Sequence, residues 1–111
     1  MDKLRDTLQK MSNSGLAFIK TGYDLKSTSI NMGLPPVITM SFKYMNRISQ
    51  DERTAILEEV KERKILRIVI SCLLKAEDFY DSVKIGEYKL DSVNITHGLI
   101  PSVSVVFGKQ N

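Results

Sequence analysis

The stretch Ile65-Leu66-Arg67-Ile68-Val69-Ile70-Ser71-Cys72-Leu73-Leu74 is the most apolar segment of the chain. Read with a period of two, Leu66, Ile68, Ile70, Cys72 and Leu74 line one face. Ile65, Val69 and Leu73 share the other with Arg67 and Ser71. Successive side chains of a strand point to opposite faces, so apolar content on both predicts a central strand covered on both sides. A second layer, or a second subunit, is then required over its far face.

Just before it, Ser49-Gln50-Asp51-Glu52 has the spacing of a capping box, in which Ser49 and Glu52 each satisfy a free backbone N–H. Asp51 and Glu52 also suit the positive end of a helix. That helix is expected to run to Lys64, with Ala55, Ile56, Leu57 and Val60 as its apolar stripe and Arg53, Glu58, Glu59, Glu62 and Arg63 around it. Glu59 and Arg63 are spaced for an i,i+4 ion pair.

Upstream, Val37 to Met45 alternates cleanly: Ile38, Met40, Phe42 and Tyr44 on one face, Val37, Thr39, Ser41 and Lys43 on the other. Gly33-Leu34-Pro35-Pro36 separates it from a weaker Ser/Thr-rich strand, Ser27 to Met32. Leu16 to Tyr23 reads as a first strand. Residues 2–13 predict a helix, because Leu4, Leu8 and Met11 fall at i, i+4 and i+7. Downstream, Ala76 to Asp81 reads as a helical turn. Val83 to Ile85 and Tyr88 to Ile95 read as a hairpin, with a phase slip that predicts a bulge near Asp91-Ser92. Ser102 to Phe107 is a last strand, with Val103, Val105 and Phe107 facing inward. The expected order is α-β-β-α-β-β-β-β, a single α+β domain over residues 1–111. It has two helices and a mainly antiparallel sheet of five to six strands.

Composition agrees with that class. The 111 residues are 42% hydrophobic and 26% charged, ordinary globular usage. No apolar run approaches the ~20 residues needed to cross a bilayer, so no membrane partner is expected. The start, Met1-Asp2-Lys3-Leu4-Arg5-Asp6, mixes both charge signs, unlike a signal peptide. A cytoplasmic location, or a virion, is the expectation. Cys72 is the only cysteine and excludes an internal disulfide; in this apolar setting it reads as a small buried hydrophobe.

Groups for chemistry are scarce. His97 is the only histidine and sits in a turn beside Gly98. No Gly-x-Ser-x-Gly elbow and no phosphate-binding glycine loop occur. Glu77, Asp78 and Asp81 form one acidic cluster, near Glu87 and Asp91, without an EF-hand spacing. The chain is therefore expected to be no enzyme: no catalytic residue, cofactor, cofactor-binding residue or metal ligand is assigned.

Binding by surface remains. The expected function is a non-catalytic protein–protein interaction or assembly subunit, as in a homo-oligomer or a viral or phage particle. Its candidate interface residues are Leu4, Leu8, Met11, Val103, Val105 and Phe107. The alternative is a small nucleic-acid-binding regulator using Lys61, Arg63, Lys64 and Arg67, a basic knot at the end of the second helix. The net charge of +3 is too mild to demand nucleic acid, Glu58, Glu59 and Glu62 share that helix, and no RNA-binding aromatic pattern appears. Lys and Arg near a helix C-terminus also have a purely structural explanation in the macrodipole.

Overall fold

A computed structural model describes residues 9, 15–83, 86–98 and 101–109. Its elements are α1 (Gly15–Lys20), β1 (Tyr23–Asn31), β2 (Val37–Tyr44), α2 (Gln50–Glu59), α3 (Lys64–Val83), β3 (Tyr88–His97) and β4 (Ser102–Lys109). The strands form one antiparallel sheet in the order β1-β2-β3-β4. The α+β class and the antiparallel pairing agree with the sequence. The count does not: the described residues hold four strands and three helices rather than five or six strands and two helices. Of the helix expected over 2–13 only Gln9 is described, as an exposed helical residue; Leu4, Leu8 and Met11 lie outside the described residues, as do 84–85 of the expected hairpin.

The main correction falls on the stretch that seemed to decide the fold. Residues 65–74 are not a strand; they are the first half of α3, a helix of 20 residues. The buried positions are Leu66, Val69, Ile70, Leu73, Leu74, Ala76 and Glu77, which recur at three and four residues. Ile68, Cys72 and Ser71 are only half-buried. The same stripe continues past Leu74, which a strand ending there cannot explain. With this segment helical, its far face faces solvent and needs no second layer.

A second correction concerns Leu16 to Tyr23, where α1 replaces most of the expected strand. The run is too short for periodicity to choose between helix and strand, so tertiary packing chooses. Phe18 is fully buried and meets Phe42 edge-on at 4.9 Å. Gly22 then turns the chain at φ +87 and accepts hydrogen bonds from the backbone N–H of Met45 (2.7 Å) and Asn46 (3.2 Å). A Cβ there would collide with the Asn46 carbonyl, so only glycine fits.

The capping box forms as expected: Glu52 N–H donates to Ser49 Oγ at 3.1 Å, and Ser49 N–H donates to Glu52 Oε1 at 3.0 Å. The helix stops at Glu59, short of Lys64, and the chain turns into α3. Glu59 therefore pairs with Lys20 at 3.5 Å, and its expected i,i+4 partner Arg63 is off the helix. Of the expected stripe, Ile56 and Val60 are buried and Leu57 half-buried, but Ala55 is exposed.

One face of the sheet carries Ile38, Met40, Phe42, Leu90, Val93 and Ile95, all buried, and shares a single core with α1, α2 and α3. The opposite face is small and polar. The registers line up Ser27, Ser41, Asn94 and Ser104 as one row, and Ser29, Thr39, Thr96 and Ser102 as another. Ser41 donates to Asn94 Oδ1 at 2.6 Å within the first row. A bulge between Leu90 and Ser92 matches the expected phase slip; a second lies in β1 between Leu25 and Ser27.

Candidate interaction surface

Helix α3 has two flanks over the sheet, and they differ in kind. On the β1–β2 side the helix is sealed. Glu77, 1% exposed, sits in phase with Ile70 and Leu73, so the fold carries it into the core. A buried carboxylate must be paired and hydrogen-bonded to be tolerated. Arg53 Nη2 donates to Glu77 Oε1 at 2.5 Å, and Tyr44 Oη donates to Glu77 Oε2 at 2.6 Å. Arg53 also reaches Asp78 at 2.8 Å, while Arg47 lies 4.0 Å from Glu77 and holds Asp81 through both guanidinium nitrogens. Beneath them Tyr23 Oη donates to the Leu73 carbonyl at 2.8 Å. Burial pushes the Tyr23 and Tyr44 hydroxyls well above the ordinary tyrosine value. The neighbouring Glu77 carboxylate adds to this, through its hydrogen bond with Tyr44 and its charge near Tyr23.

The acidic cluster of the sequence is thus neutralised by arginines. Among the described residues no group of three or more His, Cys, Asp or Glu side chains is placed to hold a metal. His97 is far from it. It pairs with Ile38 at one end of β2, while Glu77 binds Tyr44 at the other, about 20 Å along the strand. His97 and the acidic residues do not share a site.

On the β4 side the same helix is open. Cys72, Lys75, Ala76 and Phe79 of α3 face Val103, Val105 and Phe107 of β4 across a groove of about 500 Å³. Phe107 touches Phe79 and Tyr80, with ring centroids 6.3 and 5.8 Å apart. Yet Phe79 remains 50% exposed and Val103 42%. Of the inward-facing trio expected in β4, Val105 and Phe107 are half-buried against the core, and Val103 is exposed. The Cys72 thiol is pushed up by burial, partly offset by the Lys75 charge.

β4 is also an edge strand, and Ser102 to Gly108 contains no charged residue. The other edge, β1, carries Asp24 and Lys26, paired at 2.9 Å, and a bulge at Lys26, between Leu25 and Ser27. Charges and bulges are the ordinary means of blunting an edge. β1 has both in its first half, whereas β4 is uncharged from Ser102 to Gly108 and carries its one charge, Lys109, at its end.

The basic knot lies at the corner between α2 and α3, not between a helix and a strand. Lys61, Arg63, Lys64 and Arg67 are all exposed. Lys61 pairs with Glu58 at 2.6 Å, and Arg67 donates to the Lys61 carbonyl at 3.0 Å. Lys64 and Arg67 stand in the first turn of α3, where the macrodipole disfavours cations, so the C-terminal explanation covers only Lys61 and Arg63.

Sequence reading placed Glu77 in an acidic cluster and Arg53 on the outside of its helix, and missed that the two pair in the interior. Both carried a signal: Arg53 is in helical phase with Ile56 and Val60, and Glu77 with Ile70 and Leu73. A charge inside an apolar stripe announces a buried pair. No helix among the described residues is long and apolar enough to cross a membrane. No family profile, curated protein or solved structure matches the chain.

Proposed function

We propose that this chain is a non-catalytic interaction or assembly subunit that works by accepting a further β-strand at β4, beside the open flank of α3. One observation carries the reading: an edge strand uncharged from Ser102 to Gly108 borders an exposed apolar groove, while the first half of the opposite edge is blunted by charge and bulge. Main-chain hydrogen bonds supply affinity in such strand addition, and pockets for alternate side chains supply selectivity. Here the groove offers Phe79 and Val103 to the side chains of the added strand.

The test is selection of extended peptides of eight residues, the length of β4, against the whole chain. Binders should alternate apolar and polar residues and lose affinity for a Val103→Lys variant, whose charge lies at an already exposed position. A selection that returns no binder, or binders indifferent to V103K, contradicts the reading.

A second reading has its own support. Lys64 and Arg67 are exposed at the positive end of α3, next to Lys61 and Arg63, without a dipole explanation of their own. This corner would contact phosphates of a nucleic acid. Oligonucleotide affinity should then fall steeply with salt and drop in a K64E/R67E variant; binding flat in salt eliminates it.

A further inference from the structure

Resting on the strand-addition reading, we infer that the strand added at β4 is β4 of a second copy, antiparallel about a two-fold axis through Val105. In an antiparallel pair, directly opposite residues share a face, so a two-fold normal to the sheet must pass through one residue paired with its own symmetry mate. With Val105 on the axis, Val103 lies opposite Phe107 of the other copy, Ser104 opposite Val106, and Pro101 opposite Lys109.

Three observations favour this register and suit a second copy as the added strand. First, charge: Lys109, held by Glu87 at 3.6 Å in its own chain, meets Pro101 and not another lysine. Second, proline: Pro101 precedes the strand, so its missing N–H falls at the end of the ladder, where no bond is lost. Third, apolar complementarity: exposed Val103 lies against half-buried Phe107 on the groove side, and exposed Val106 lies against Ser104 on the polar side. The two four-stranded sheets become continuous, and the grooves beside Phe79 of each copy adjoin. Edge β1 is less suited, since its Asp24–Lys26 pair and the bulge between Leu25 and Ser27 break up its first half.

Sedimentation equilibrium of the whole chain should give a mass twice the 12.6 kDa of one copy, with V103K weakening the dimer about tenfold or more. In a Cys72→Ser background, Val105→Cys should form an intermolecular disulfide faster than Val103→Cys, because only position 105 faces itself within disulfide reach. A chain that stays monomeric at every concentration overturns the second-copy inference. If peptides still select at β4 in that case, the strand-addition reading survives it. A dimer that V103K leaves intact, or one that cross-links faster through position 103, overturns the register and the β4 interface.

Discussion

The two flanks of α3 solve the same problem in opposite ways. Both bring this helix against the edge of an antiparallel sheet. On the β2 side a buried carboxylate is closed in by Arg53, Tyr44 and Arg47, and its neighbours Asp78 and Asp81 are drawn into the same network. On the β4 side no described residue closes the gap: Phe79 and Val103 stay exposed above a groove. The sealed flank uses directional, costly interactions that fix the helix in place. The open flank leaves apolar area and an unpaired edge for something else to cover. Under the proposed function, stability belongs to the first and binding to the second, and the two should be separable by mutation.

The largest effect should come from breaking the sealed flank. Glu77→Ala leaves Tyr44 without its acceptor and Arg53 with only the exposed Asp78, and should cost about 3–5 kcal/mol in urea unfolding. Its counterpart on the open flank, Phe79→Ala, should cost under about 1 kcal/mol, since half of that ring is already in water. Equal costs at the two positions would erase the distinction.

Tyr44→Phe removes one hydrogen bond to the same carboxylate and should cost about 1–2 kcal/mol at neutral pH. Its pH dependence follows from the raised folded values of Tyr44 and Tyr23. The stabilisation is fully present below the unfolded tyrosine value near pH 10 and is lost as pH rises toward the folded values. Thermal melts of the wild type should therefore fall steeply above about pH 10, and less steeply in Tyr44→Phe. A melting profile flat through that range would contradict the burial of both hydroxyls.

Smallest in stability is Val103→Lys, expected within about 0.5 kcal/mol of wild type in the same urea titration. It should nevertheless have the largest effect on self-association. A substitution at this exposed edge that unfolds the chain would show that β4 belongs to the core and not to an interface.

The sequence carried the sheet better than the helices. Val37 to Met45 sets an unbroken apolar face of Ile38, Met40, Phe42 and Tyr44 against a mixed one, the bulge at Asp91-Ser92 announced itself as a phase slip, and the capping box at Ser49 left one reading. Residues 65–74 misled because nearly every position is apolar, so periods of 2 and 3.6 fit equally well inside the window. Length arbitrates such a case. The buried phase runs on through Ala76 and Glu77, giving a 20-residue helix where a strand averages five or six. The test of that correction is direct: Val69→Lys should unfold the chain, whereas Ile68→Lys, only half-buried in the helix, should be tolerated better. A strand would bury Ile68 in the principal face and reverse the order.

The open flank was half legible. Ser102 to Phe107 showed an uncharged terminal strand, but its place at the sheet edge depends on the strand order, which no local pattern encodes. Phe79 and Phe107 are brought together only once α3 is a helix.

Amide hydrogen exchange along β4, followed from low to high chain concentration, tests the central claim most directly. The outward-facing amides of Ser102 to Lys109 should exchange fast in dilute solution and gain protection as concentration rises, while those of α3 near Glu77 hold constant. β4 amides equally protected, or equally exposed, at every concentration would contradict an edge built to be covered by a second copy.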